Sequence, residues 1–287
     1  MGFKKKLQKE LSGELDADEL SLIPSGFQTL GDVIVLKLKE ELLSKKEIIA
    51  DKCLEMMPYI RSVYLNRGIV KGKYRKPEQI EFLAGEKNPI VEHKEHGVVY
   101  KLDITRIMFS QGNLRERKYL ATLVNDGEVI VDMFAGIGYF SLPIASHANP
   151  KRIFSIEINS LSYKFLEENI KINDLGDIIK PIHGDCKKEV LKLSKKGLKA
   201  DRIIMGVFPA PKAYIKESLT LVKPLGTIIH YEGVIDKNNE QVLFEEFSKI
   251  AQDEGYSSEL KESRFIKSYG PMLYHIVYDI LVKKRDN

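Results

Sequence analysis

The stretch from Val129 to Phe140, Val-Ile-Val-Asp-Met-Phe-Ala-Gly-Ile-Gly-Tyr-Phe, limits what this chain can fold into more than any other. Three β-branched residues lead into Asp132, and a short loop follows that carries Gly136 and Gly138. From Tyr139 to Ser146 the pattern turns helical. A buried strand, a glycine-bearing turn and a helix make up the unit with which a doubly wound sheet offers a ligand site at its strand ends. Lacking Cβ atoms, positions 136 and 138 let the backbone approach a ligand closely.

By itself the stretch is shared by nicotinamide, flavin and S-adenosylmethionine sites, and a plain structural turn would also fit it. A nicotinamide fingerprint asks for a third glycine three positions on, where this chain has Ser141. The surrounding residues extend the pattern. Strand-like runs at 129–131, 152–156, 178–183, 201–205 and 226–231 alternate with helical ones at 115–124, 139–146, 160–173, 187–195, 213–222 and 240–254. This alternation predicts a parallel sheet with helices on both faces. Two further strand-like runs, 262–269 and 275–282, predict an antiparallel hairpin at the C-terminal end.

Before residue 109 the order differs. A basic helix start, a turn at Pro24-Ser25-Gly26 and a strand at 33–38 come first. A helix over 40–57 follows, and then strands at 80–83 and 97–102, with Cys53 on the helix's apolar face as a packed thiol. We therefore expect a small α+β domain over 1–108 and a Rossmann-like catalytic domain over 109–287. Between 61 and 76 lie Arg61, Arg67, Lys71, Lys73, Arg75 and Lys76, with Tyr64 and Tyr74 among them and no acid. Such a stretch can neutralise phosphates and stack on bases. It can equally be a charge-guarded sheet edge.

Composition excludes several classes. No apolar run is long enough to span a bilayer, and Met1 to Glu10 lacks the apolar core of a signal peptide, so a cytoplasmic setting without membrane association is expected. Two cysteines fit a reducing compartment and make a disulfide framework unexpected. The six histidines show no metal-ligand spacing, and no metal is expected. A net charge of +4 does not by itself demand nucleic acid.

Three acids decide between the ligands. Glu157 ends the second strand of the alternating region, where an acid can accept both hydroxyls of a ribose. Asp185, in His183-Gly184-Asp185-Cys186, ends the third. Its carboxylate can accept from an adenine amino group, with the Cys186 backbone along the ring edge. With Asp132 they place three acids after three successive parallel strands. Any one alone would be read as a strand-end cap. Together they mark a nucleoside crevice.

This constellation resembles the first motifs of class I S-adenosylmethionine-dependent transferases. Phe109-Ser110, Arg115-Glu116-Arg117, the 131–140 run and Ser155-Ile156-Glu157-Ile158-Asn159 are similar to archaeal enzymes that modify the guanosine 3′ to the tRNA anticodon. Two relatives share that body, the tRNA guanine-N1 methyltransferases and the wyosine-pathway aminocarboxypropyltransferases. After the fourth strand the methyltransferases carry Asn-(Leu/Pro)-Pro. This chain has Met205-Gly206-Val207-Phe208-Pro209, and the Met-Gly start is similar to the aminocarboxypropyltransferases.

The resemblance implies transfer of the 3-amino-3-carboxypropyl group of S-adenosylmethionine to carbon-7 of 4-demethylwyosine at position 37 of tRNA(Phe), with methylthioadenosine released. It implies cofactor contacts at Asp132, Phe134, Gly136, Gly138, Glu157, Ile158, Asp185 and Cys186. Ser110 and Arg117 would grip the methionine end, with an exposed helix charge as the plainer reading of Arg117. Glu116 is a candidate proton acceptor. The partner would be the anticodon arm of the tRNA, and the enzyme a monomer. Methyl transfer to guanine-37 N1 is the alternative, and a non-catalytic tRNA-binding module a further one.

Overall fold

The computed structural model describes residues 2–68, 70–71, 76–77, 79–109 and 111–285. The chain divides into two units, residues 1–95 with 99–109, and 96–98 with 110–287.

The first unit begins with helices α1 (Phe3–Glu10) and α2 (Ala17–Leu22). Asp16 caps α2 by accepting from Glu19 N, while the Glu19 side chain accepts from Asp16 N. This reciprocal box satisfies two otherwise orphaned donors. Strands β1 (Gln28–Leu30) and β2 (Val33–Leu36) precede a 3₁₀ turn at Glu40–Lys45 and helix α3 (Lys46–Met56). The helix expected over 40–57 is thus tighter in its first third. Next come β3 (Ser62–Asn66), the short pair β4 (Val70–Lys71) and β5 (Lys76–Pro77), and β6 (Ile80–Gly85). Strands β7 (Ile90–Glu95) and β8 (Val98–Asp103) form a separate two-stranded sheet. The main sheet of this unit has the order β1-β2-β3-β6. Its core gathers Leu7, Ile34, Leu36, Ile49, Cys53, Val63 and Leu65. Cys53 is fully buried, and burial pushes its thiol up to about 12, so it packs as a small apolar group.

In the second unit, helix α4 (Leu114–Thr122) leads into β9 (Val129–Asp132), α5 (Ser141–His147) and β10 (Arg152–Glu157). These are followed by α6 (Ser160–Ile172), β11 (Ile179–His183), α7 (Cys186–Lys195) and β12 (Arg202–Met205). The unit closes with α8 (Ile215–Leu219), β13 (Thr227–Asp236), α9 (Val242–Asp253), β14 (Tyr256–Gly270) and β15 (Leu273–Lys284). The seven strands are ordered β11-β10-β9-β12-β13-β15-β14. Pairing is parallel from β11 to β13 and antiparallel across β13, β15 and β14. The chain order therefore reverses between β9 and β12, and crevices for ligands open at the carboxyl ends of strands at such a switch point. Strand β13 runs five residues beyond the expected 231 because β15 pairs with it over its whole length, from Thr227 to Asp236. Val131, Ile156, Ile203, Met205, Ile229, Tyr231 and Ile280 fill the core beneath. Among the described residues, no helix is long and apolar enough to cross a membrane.

Candidate active site

The glycine loop is shaped by its own backbone. Gly136 has φ +58° and Gly138 φ +100°, a region that costs residues with a Cβ. Space forbids a side chain as well. A Cβ on Gly138 would lie 2.6 Å from Leu142, and one on Gly136 would lie 2.5 Å from the Tyr139 ring.

Asp132 ends β9 almost wholly buried, at 1% exposure. Its Oδ2 accepts from the Ser141 hydroxyl at 2.7 Å and its Oδ1 from Phe134 N at 3.3 Å. Ser155 in turn donates to Ser141 at 2.7 Å. The residue that departs from a nicotinamide fingerprint thus anchors the first acid of the crevice. Burial pushes the Asp132 carboxyl up to about 7; the two hydrogen bonds pull the other way, and the charges of Glu157 and Glu232 add to the rise.

Glu157 ends β10 and reaches across to the loop. Its Oε2 accepts from Gly136 N at 2.8 Å and its Oε1 from Asn159 N at 2.6 Å. Burial raises its carboxyl above the ordinary range, and hydrogen bonds from Asn159, Gly136 and Ile158 oppose that rise. Asn159 caps α6 by accepting from Leu161 N, so strand end, acid and helix start are one rigid corner. Asp185 follows β11 as the N-cap of α7, accepting from Lys187 N at 3.1 Å, and Cys186 behind it is buried. Strand pairing places Glu157 opposite His183, so Glu157 and Asp185 stand at adjacent strand ends. Phe134 meets Tyr214 edge-on at 5.0 Å, and Ile158 is half-buried beside Glu157.

Arg117 departs from its plainer reading as an exposed helix charge. It is 2% exposed on α4, and its guanidinium lies 5.8 Å from the ring of Tyr139, in the glycine loop. Ser110 lies outside the described residues.

Glu116 requires a correction. Its carboxylate is committed to Arg264, with Oε1 2.8 Å from Nη2 and both oxygens 3.3 Å from Nε. Arg264 also binds Glu262 at 2.9 Å and Asp279 at 2.5 Å. Asp279 pairs with His230, which meets Arg202, itself bound to Glu128. Glu116 is therefore one end of a buried ion network, and its geometry does not support a proton acceptor. The sequence held no sign of this, since Arg264 is 148 residues away along the chain.

Arg61 also changes role. It binds Asp32 at 2.9 Å and the carbonyls of Asn88 and Ile90 at 2.8 and 2.6 Å, so it clamps its own unit instead of offering a free cation. Arg67 is exposed, while Lys73, Tyr74 and Arg75 lie outside the described residues. Two residues packed against the segment that follows β12 were missed from sequence, Glu232 on β13 and His275 on β15. Glu232 directly follows the strand end expected at 231, although β13 itself continues to Asp236.

A glycine loop between β9 and α5, with acids at three successive parallel strand ends beside the reversal of strand order, is the Rossmann-like fold of the class I S-adenosylmethionine-dependent transferases. Residues 91–259 match the TRM5/TYW2 methyltransferase domain, residues 7–88 match the TYW2 N-terminal domain, and the chain belongs to that family. A tRNA(Phe) (4-demethylwyosine(37)-C(7)) aminocarboxypropyltransferase of Methanocaldococcus jannaschii is 36% identical over 255 residues, covering 88% of this chain and 96% of that protein. The protein of the same name from Pyrococcus horikoshii is 36% identical over 284 residues, covering 99% of this chain and 98% of that one. The crystal structure of P. horikoshii TYW2 in complex with MeSAdo has a TM-score of 0.83 to this chain at 32% identity, covering 99% of this chain and 100% of that one.

Proposed function

We propose that this protein transfers the 3-amino-3-carboxypropyl group of S-adenosylmethionine to carbon-7 of 4-demethylwyosine at position 37 of tRNA(Phe), releasing methylthioadenosine. The observation that carries the reading is the placing of Glu157 and Asp185 at the adjacent ends of β10 and β11, together with the Met205-Gly206 start of the loop after β12 in the same sheet. The names of the relatives from M. jannaschii and P. horikoshii support the same reaction.

Glu157 would accept the ribose hydroxyls and Asp185 the adenine amino group, with the Cys186 backbone at the ring edge and Phe134 and Ile158 along its faces. The backbone at Gly136 and Gly138 would pass close to the ligand, above Asp132. Arg117 and Ser110 would hold the methionine end. A guanidinium suits a carboxylate because it offers two parallel donors. A sulfonium activates all three of its carbons, so the group that leaves is decided by which carbon faces the acceptor. Orientation of this kind is worth on the order of 7–11 kcal/mol of barrier. The residues 1–108 would contact the tRNA anticodon arm and 109–287 would carry the chemistry, in a monomer acting in the cytoplasm.

Mass analysis of nucleoside 37 from treated tRNA tests the assignment. Addition of an aminocarboxypropyl group is the expected result, and addition of a methyl group overturns it in favour of the methyltransferase alternative.

Asp185→Ala should weaken methylthioadenosine binding about tenfold or more, the value of one charge-assisted hydrogen bond. It also removes the α7 cap and so costs about 1 kcal/mol of stability. Asp185→Asn keeps the cap and separates the two effects. Calorimetry that finds unchanged affinity for the alanine variant would reject the adenine role.

Neutralising Arg67, Lys71 and Arg75 together should weaken tRNA binding and flatten its dependence on salt by up to about three counterions. A salt slope equal to that of the unaltered protein would show these cations to be merely solvated.

A further inference from the structure

Among its described residues the second unit buries five carboxylates: Glu116, Glu128, Asp132, Glu232 and Asp279. Four are fully committed. Arg264 binds Glu116 and Asp279, Arg202 binds Glu128, and Asp132 accepts from Ser141 and Phe134. Glu232 differs. Its Oε2 accepts from Nε2 of His275 at 3.0 Å, while its Oε1 has no hydrogen-bond partner among the described residues. Glu232 is 2% exposed, yet Oε1 is not itself sealed from solvent, and an accessible acceptor oxygen on so buried a side chain calls for an explanation.

Its position supplies one. Glu232 follows Tyr231, which pairs with Met205 at the end of the parallel part of β13. It therefore stands at the same end of the sheet as Asp132, whose carboxyl feels its charge. Gly206 follows Met205, and a Cβ there would lie 3.3 Å from Glu232 Oε1 and 3.1 Å from the Phe140 ring. Glycine at 206 thus leaves the open oxygen uncovered toward the loop that follows β12. On the other side His275 is fully buried, packed edge-on against Phe208 at 4.6 Å, and its Nδ1 has no hydrogen-bond partner among the described residues. The Nε2–H that donates to Glu232 fixes the carboxylate in one orientation.

We propose that Glu232, held by His275, is the base that removes the proton from the acceptor carbon. This rests on the reaction proposed above. When a ring carbon displaces the sulfonium, the new carbon–carbon bond forms as the carbon–sulfur bond breaks, and sulfur keeps the electron pair as a neutral thioether. The alkylated carbon still bears its hydrogen, and the ring is positively charged. Transfer of that proton to Glu232 Oε1 returns the C–H electron pair to the ring and restores aromaticity. The resulting carboxylic acid gives its proton to water after the product leaves. Before the transfer, the carboxylate's charge also favours the cationic ring.

Glu232→Gln keeps the shape of the side chain and its contact with His275 but cannot take the proton. Single-turnover transfer to tRNA should slow about 100-fold or more, as expected for loss of a general base. Affinities for methylthioadenosine and tRNA should stay within about threefold of the unaltered protein, because the lost interaction belongs to the transition state. Acceptor base deuterated at the attacked carbon should show a larger isotope effect with Glu232→Gln than with the unaltered enzyme, as proton loss becomes limiting. Glu232→Asp, which keeps a carboxylate, should recover part of the rate. A rate within about threefold of the unaltered enzyme, or a loss of methylthioadenosine affinity in both variants, overturns the proposal. Methyl transfer by the unaltered protein would instead overturn the functional reading, whatever Glu232 does.

Discussion

Arg264→Leu should lower the stability of the protein by about 3–5 kcal/mol, the usual cost of removing one partner from a buried ion pair. Arg264 is the hub of a network in which Glu262 can turn to water but Glu116 and Asp279 cannot. Its side chain is 11% exposed, and those of Glu116 and Asp279 are 3% and 7% exposed. Leucine would leave Glu116 without its partner and Asp279 with His230 alone. Burial by itself would raise the Asp279 carboxyl, but hydrogen bonds and charge from His230 and Arg264 outweigh it and hold the group well below the usual range. Arg264→Lys should restore only part of the loss, since an ammonium cannot reach Glu116, Glu262 and Asp279 as the guanidinium fork does. Guanidinium unfolding midpoints measure the effect. A loss below about 1 kcal/mol would mean that the network is no stronger than a surface ion pair.

Glu157→Ala should weaken methylthioadenosine binding about 100-fold, on the basis of two charge-assisted hydrogen bonds to ribose. The substitution acts twice. It removes the acceptor, and it releases Gly136 N and Asn159 N, which the carboxylate holds at 2.8 and 2.6 Å. The glycine loop would then lose its tie to β10. Glu157→Gln tests the division, because its amide oxygen can still accept one of these bonds but not both. Adenine alone, lacking ribose, should bind the variants and the unaltered protein alike. Calorimetry showing the same methylthioadenosine affinity in Glu157→Ala would remove Glu157 from the nucleoside site.

The parts of this architecture legible in the sequence are those whose causes are local. The runs 129–131, 152–156 and 201–205 are short, apolar and bounded by turns, and each proves to be a parallel strand. The acids that end β9 and β10, and Asp185 after β11, could be read because a strand end and a following turn fix where such a side chain points. The missed elements are of two kinds. Helix α2 is only six residues long, but its Asp16 and Glu19 were a readable capping signature. Strand β7, Ile-Val-Glu-His-Lys-Glu, alternates too weakly to be distinguished from a loop. Residues 232–236 of β13 owe their extension to β15, some forty residues later in the chain, and no local pattern reports such a partner. The same holds for chemistry. Glu116 beside Arg117 invited a role in proton transfer, and only the fold brings Arg264 to it. Glu232 and His275 come together across β13 and β15, a pairing that two separate strand-like runs do not announce.

Whether the amino-acid arm of the donor, and not its methyl group, is the part transferred can be settled with two samples of S-adenosylmethionine, one labelled on the methyl carbon and one on the carboxyl carbon. With tRNA(Phe) carrying 4-demethylwyosine, the carboxyl label should enter the tRNA, and the methyl label should leave as methylthioadenosine. Methyl label in the tRNA, with carboxyl label left on the released nucleoside, would contradict the account.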